Sequence, residues 1–380
     1  MNKTFKTIWN AVRSAYVTVN ETVAGASQRG GARRAATLMT VSVGAALVSG
    51  MAAAGVQKYT GTDGQWSWTF YNFENGGYYD YFASVKQFTA DNETISGAVD
   101  KVFTNDDLKL LQTVDATGEL GSSAPSFAQY KDKVDLWSVI AGASVQTSSE
   151  TAVQWSDAAI SIKTDALGRK DGDTPYTVMG TAVSDGAITF TGASTTISAE
   201  NAAQNPADPT DSDSDRMNAI GVGFDNSLGQ NAEITTRTVQ FNAATTAISA
   251  KVTGLADGLA VGLYGAMNTK SKPIVEINSD TTITAVNERA NANAYGIWMD
   301  YTDGTQNNHR IWNDPGSVTV AAGKTLTITA EGKSAVGAMI DVGTLKINGA
   351  ANLTAKGTDN AYGLLVRGHG HAIFNGETTI

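Results

Sequence analysis

There is no cysteine in these 380 residues, which excludes a disulfide framework, a thiol nucleophile and any Cys-ligated metal. Proline is scarce, 6 residues against 39 glycines, and charged side chains make up only 17%, too few for charge-laced helices. Histidine occurs three times, as His309, His369 and His371, so a Ser-His-Asp site could be built only in the final turns of the chain. The G-x-S-x-G elbow, the Walker A loop, H-E-x-x-H and a GDSGS-like stretch are all missing. The sequence therefore predicts no catalytic residue, no metal, no cofactor and no enzyme activity.

Thr, Ser, Asn and Ala dominate what remains beside a 42% hydrophobic fraction, a mixture suited to stacked β-structure with small polar surface residues. Charge is divided unevenly. Residues 1–54 carry six basic side chains (Lys3, Lys6, Arg13, Arg29, Arg33, Arg34) against Glu21 alone, which leaves 21 basic and 36 acidic residues beyond them. So acidic a chain is a poor partner for nucleic acid, whose phosphates require cationic neutralisation.

Arg29, Arg33 and Arg34 precede the apolar run from Ala35 to about Gly50, and "MAAAG" (51–55) supplies small residues for a signal peptidase cutting between Ala54 and Gly55. Ahead of this export signal stands "MNKTFKTIWN…VTVNE". Asn2, Lys3, Phe5, Lys6, Ile8, Trp9, Asn10 and Glu21, with Met1, Arg13, Val17 and Val19, give it the pattern. The stretch resembles the extended signal peptide region (ESPR) of type V secretion proteins of Gram-negative bacteria. That resemblance implies export by the Sec translocon, cleavage by signal peptidase, and passage through an outer-membrane β-barrel to the cell surface or the extracellular space. The barrel would be either the protein's own, missing from this chain, or a separate one.

The sequence divides into 1–54 (extended region 1–28, then 29–54), a region at 55–186 without a clear repeat, and a repetitive region at 187–380. In the second, Trp66, Trp68 and Phe70 alternate as on a strand, 105–114 reads as a short helix, and 158–168 as a strand and turn. In the third, one element recurs as "ITF" (188–190), "VQF" (239–241), "VEI" (275–277), "VTV" (318–320), "LKI" (345–347) and "AIF" (372–374). Each is followed by an apolar residue: Ile197, Ile248, Ile283, Leu326, Leu353 and Ile380. The other element is Ala-apolar-Gly, in "AIGVGF" (219–224), "AVGLYG" (260–265), "AYGIWM" (294–299), "AVGAMI" (335–340) and "AYGLLV" (361–366). Short constant cores with variable connections predict an all-β solenoid, in which insertions leave through turns without disturbing the stack.

Period-2 alternation assigns Ile220, Val222, Val261, Leu263, Tyr295, Ile297, Leu364 and Val366 inward. It places Tyr264, Trp298, Met339 and Leu365 outward, as an apolar stripe that could face a ligand, unless the strands bend there and turn these side chains inward or an inserted loop covers them. "GHGH" (368–371) puts His369 and His371 on one strand face without a third ligand, and reads as a solvated turn. "DPTDSDSD" (208–215) lacks the Gly and distal Glu of an EF-hand, and reads as an acidic loop.

The repetitive half looks like the right-handed parallel β-helix of an autotransporter passenger, stopping in mid-repeat at "FNGETTI" as a truncated frame would. The resemblance implies an adhesin-like passenger that contacts host cells, matrix or other bacteria through an unidentified surface ligand. Three alternatives remain open: a trimeric autotransporter adhesin, which "NAIGVGFDNSLGQNA" (218–232) resembles; a two-partner exoprotein; and a passenger with an enzyme at 55–186 or beyond residue 380.

Overall fold

The computed structural model describes residues 5–10, 15–20, 56–62, 67–73, 79–88, 94–103, 136–146, 152–165, 176–202, 218–224, 235–253, 258–267, 271–288, 292–301 and 316–380. The chain forms two compact units, residues 1–53 and 54–380. In the first, β1 (Phe5–Asn10) and β2 (Ala15–Asn20) pair antiparallel, with Ile8 opposite Val17 and Trp9 opposite Tyr16. Five residues of the export motif, Phe5, Lys6, Ile8, Trp9 and Asn10, lie on β1. Asn2, Lys3, Glu21, Ala54 and Gly55 lie outside the described residues, as do the expected helix at 105–114, the acidic loop at 208–215 and His309.

The second unit begins with an antiparallel meander of β3 (Val56–Thr62), β4 (Ser67–Phe73) and β5 (Tyr79–Phe88). From β5 onward all pairing is parallel, and each coil of chain contributes one strand to each of three lateral faces. One face stacks β10 (Ala187–Thr191), β13 (Thr235–Phe241), β16 (Ser271–Ile277), β19 (Ser317–Val320) and the ends of β20 (Thr325–Ile347) and β21 (Ala350–Phe374). The second stacks β6 (Thr94–Phe103), β8 (Val153–Asp165), β11 (Ser194–Ala202), β14 (Thr245–Val252), β17 (Asp280–Asn287), the starts of β20 and β21, and β22 (Thr378–Thr379). The third stacks β5, β7 (Leu136–Gln146), β9 (Tyr176–Asp185), β12 (Asn218–Phe224), β15 (Ala260–Met267), β18 (Ala294–Tyr301) and the middles of β20 and β21. This is a parallel β-solenoid.

Registers align the sequence repeats rung by rung. Ile188, Val239, Val275, Val318, Leu345 and Ala372 form one column, and Ala219, Ala260, Ala294, Ala335 and Ala361 another. Ile197, Ile248, Ile283 and Leu353 also stack, but their neighbour in β20 is Ile328; Leu326 pairs with Thr281, two residues earlier. Both β20 residues point inward, so spacing alone could not choose between them. The parallel stack also starts earlier than residue 187, because β5 to β9 already belong to it.

The interior is filled by these columns. Trp155, Phe190 and Phe241 stack along the axis, with ring centroids 6.3 and 5.4 Å apart, and Phe88 meets the Trp155 ring edge-on at 5.6 Å. Each buried isoleucine of the second face contributes about 1.5–3 kcal/mol. Where insertions leave the stack, buried asparagines close the gap. Asn287 Nδ2 donates to Gly258 O (2.7 Å) and Asn293 O (3.1 Å), and Asn201 Nδ2 donates to Asn218 O (3.2 Å).

Candidate functional site: an outer aromatic cluster

The Ala-apolar-Gly element is a corner. Gly262 and Gly296 take no place in the ladder, although the residues on both sides do. A Cβ on either would collide with the Cγ2 of Ile283 or Ile328 and with the carbonyl of the glycine one rung further on. These glycines therefore point into the core, as do the residues that follow them, Leu263 and Ile297. Two successive inward residues break the period-2 alternation. Ile220, Val261 and Tyr295, expected inside, stand outside the main core and pack instead with Tyr264 and Trp298.

The corner thus gathers two outward columns, one residue before each glycine and two after it. Met179, Ile220, Val261 and Tyr295 form the first; Tyr264 and Trp298 belong to the second. The Trp298 ring lies 4.8 Å from Tyr295 and 5.3 Å from Tyr264, in tilted contact. In the next rung Val336 and Met339 continue the columns at 3% and 4% exposure, and in the last rung Tyr362 is 45% exposed and Leu365 half-buried. Of the four residues read as an outward stripe, Tyr264, Trp298 and Leu365 are partly exposed, whereas Met339 is covered.

Polar groups hold the rings in place. The Tyr264 hydroxyl donates to Asp300 Oδ2 (3.4 Å), Trp298 Nε1 donates to Asp341 Oδ2 (3.1 Å), and Asn293 Nδ2 donates to the Tyr295 hydroxyl (3.3 Å). Arg367 clasps the same Asp341 with Nε on Oδ1 and Nη2 on Oδ2 (3.0 Å). Burial, then the charge of Asp300 and its hydrogen bond, push the Tyr264 hydroxyl well above its ordinary value of 10.0. Burial likewise raises Tyr295. Both phenols stay protonated and neutral through the physiological range. The cluster offers fixed aromatic surface rimmed by two carboxylates and a guanidinium, a combination suited to holding a partner by contact.

Sequence reasoning missed Tyr295, Asp300, Asp341 and Arg367 as members of this site. The signal was available in the i, i+3 spacing across each glycine, once the glycine is read as a bend. His369 and His371 lie exposed on β21, and no cluster of three or more His, Asp or Glu side chains fit to hold a metal occurs among the described residues. Nor does any described helix have the length and apolarity to cross a membrane.

Compared with known protein families, residues 1–50 match the Extended Signal Peptide of Type V secretion system. No curated protein and no solved structure matches the chain. Residues 1–50 are the extended signal peptide of type V secretion, which makes the β-solenoid behind them a type V passenger exported toward the outer membrane and the cell exterior of a Gram-negative bacterium.

Proposed function

We propose that the passenger is adhesin-like and non-catalytic: a rigid solenoid that displays contact surfaces to host cells, matrix or other bacteria. The observation that carries this reading is the ring cluster of Tyr264, Tyr295 and Trp298, fixed on the outside of the stack and rimmed by Asp300, Asp341 and Arg367. Aromatic and arginine side chains of this kind dominate the energetics of protein contacts. The acidic balance of the exported part favours neutral or basic partners over anionic ones.

The test is adhesion of the purified protein to epithelial cells, to immobilised matrix proteins and to itself. Saturable binding that falls at least about tenfold, roughly 1.4 kcal/mol, in Trp298→Ala with the fold retained is the expected result. Absence of binding in all three formats would remove the adhesin reading.

A further inference from the structure

The rings of the outer cluster are electron-rich as well as fixed. Tyr264 donates its hydroxyl hydrogen to the Asp300 carboxylate, and Trp298 its indole N–H to the Asp341 carboxylate. A hydrogen bond donated to an anion pushes electron density into the ring and deepens the negative potential over its face. At the rim, two carboxylates stand against the single guanidinium of Arg367, an excess of one negative charge. That field is felt unevenly. At Tyr264 the charges of Asp300 and Asp341 both raise the phenol, whereas at Tyr295 the charge of Arg367 works against them. Elsewhere the chain covers aromatic faces with its own cations: Lys86 Nζ lies 5.3 Å from the centroid of Phe88, and Lys101 Nζ 5.3 Å from that of Phe103. Among the described residues no Lys or Arg lies over Tyr264, Tyr295 or Trp298, and all three rings are partly exposed. Indole and phenol faces attract a cation more strongly than a phenyl face does.

We propose that this surface binds a basic, arginine-bearing segment of the partner, with a guanidinium laid on the Trp298 and Tyr295 rings and held by Asp300. The proposal rests on the adhesin reading above and names the chemistry of its partner. A guanidinium is planar, stacks on an aromatic face and sheds its water more readily than an ammonium, so it gains from the rings and the carboxylate together. Asp341 already serves Arg367 and the Trp298 indole. A carboxylate accepts several hydrogen bonds, so Asp300 keeps the Tyr264 hydroxyl and still receives a guanidinium N–H. An anionic partner would meet the excess negative charge at the rim, and the 36 acidic against 21 basic residues beyond residue 54 repel it at longer range. A neutral glycan would stack on the same rings but gain nothing from that charge.

The experiment titrates the full chain calorimetrically with an octapeptide of alternating glycine and arginine. Its counterparts carry citrulline, which has a similar shape without the charge, or glutamate in place of arginine, and maltohexaose serves as a neutral glycan. Saturable binding of the arginine peptide is expected, at least about tenfold tighter than the citrulline peptide. It should weaken at least about fivefold in Trp298→Ala and in Asp300→Asn. It should be unchanged in Glu200→Gln, which removes a negative charge from the second lateral face. Asp300→Asn keeps an acceptor for the Tyr264 hydroxyl, so it retains the fold and decides the matter even if Trp298→Ala does not fold. No saturable binding of the arginine peptide, equal affinity for the citrulline peptide, or a preference for the glutamate peptide or maltohexaose would overturn the proposal. So would unchanged affinity in Asp300→Asn, or an equal loss in Glu200→Gln. Cell or matrix adhesion that is lost in Trp298→Ala but kept in Asp300→Asn upholds the adhesin reading and overturns this one. Specific arginine-peptide binding by a protein that adheres to nothing removes the adhesin reading and leaves the site.

Discussion

Gly296 has no room for a single methyl group: its hydrogen already faces Ile328 Cγ2 and the Gly337 carbonyl. Gly296→Ala is therefore expected to cost about 1–3 kcal/mol through overpacking, read as a lowered midpoint of the first unfolding step in urea, whereas Ala247→Thr on the exposed face should stay within about 0.5 kcal/mol. Tyr264 makes a separate prediction in alkaline solution. Its folded pKa is raised above the unfolded value of 10.0, so its contribution is present in full below pH 10 and is lost as pH climbs toward the raised value. Stability should thus fall between pH 10 and about pH 11 more steeply in the wild type than in Tyr264→Phe, by up to about 1.4 kcal/mol per pH unit. Denaturant unfolding across that range measures the difference, and parallel curves would show that burial of the phenol is not what the folded state senses.

At the scale of the element, the connections are held by single amides. Asn287 is buried and its Nδ2 serves the carbonyls of both Gly258 and Asn293, tying the exit of β17 to the entries of β15 and β18. Asn287→Ala leaves these carbonyls without that donor, at a cost of about 1–3 kcal/mol, and amide exchange should accelerate first in β15 and β18. Faster exchange spread evenly over the molecule would contradict a local tie. The strands themselves were legible in the sequence, because inward apolar residues repeat at equivalent positions of each coil. A bend in the Ala-apolar-Gly element was an open alternative but not its place, since period-2 alternation assumes an unbent strand and a bend at glycine breaks the parity across it. That one assumption put Tyr295 in the core and hid its contact with Trp298. The coils from β5 to β9 were hidden differently: their corner glycines, Gly142 and Gly180, follow Ala141 and Met179 within "IAG" and "VMG" rather than an Ala-apolar-Gly pattern.

Across the whole solenoid each coil contacts chiefly its neighbours, so stability is a sum of coil and interface contributions rather than the property of one central core. The described coils are joined by continuous ladders on all three faces and by the Trp155–Phe190–Phe241 stack, which couples the early coils to the later ones. In such an array a weak interior rung matters more for cooperativity than for total stability. Gly296→Ala strains β18 against β20 on the third face, at the sixth of its eight described rungs. Far-UV circular dichroism of this variant in urea should resolve into two steps, where the wild type gives one. Trp298 fluorescence should follow the earlier step and the deeply buried Trp155 the later. A single transition, shifted but intact, would mean that the two flanking faces carry enough coupling to bridge the damaged rung. The array would then behave as one cooperative unit longer than a single coil.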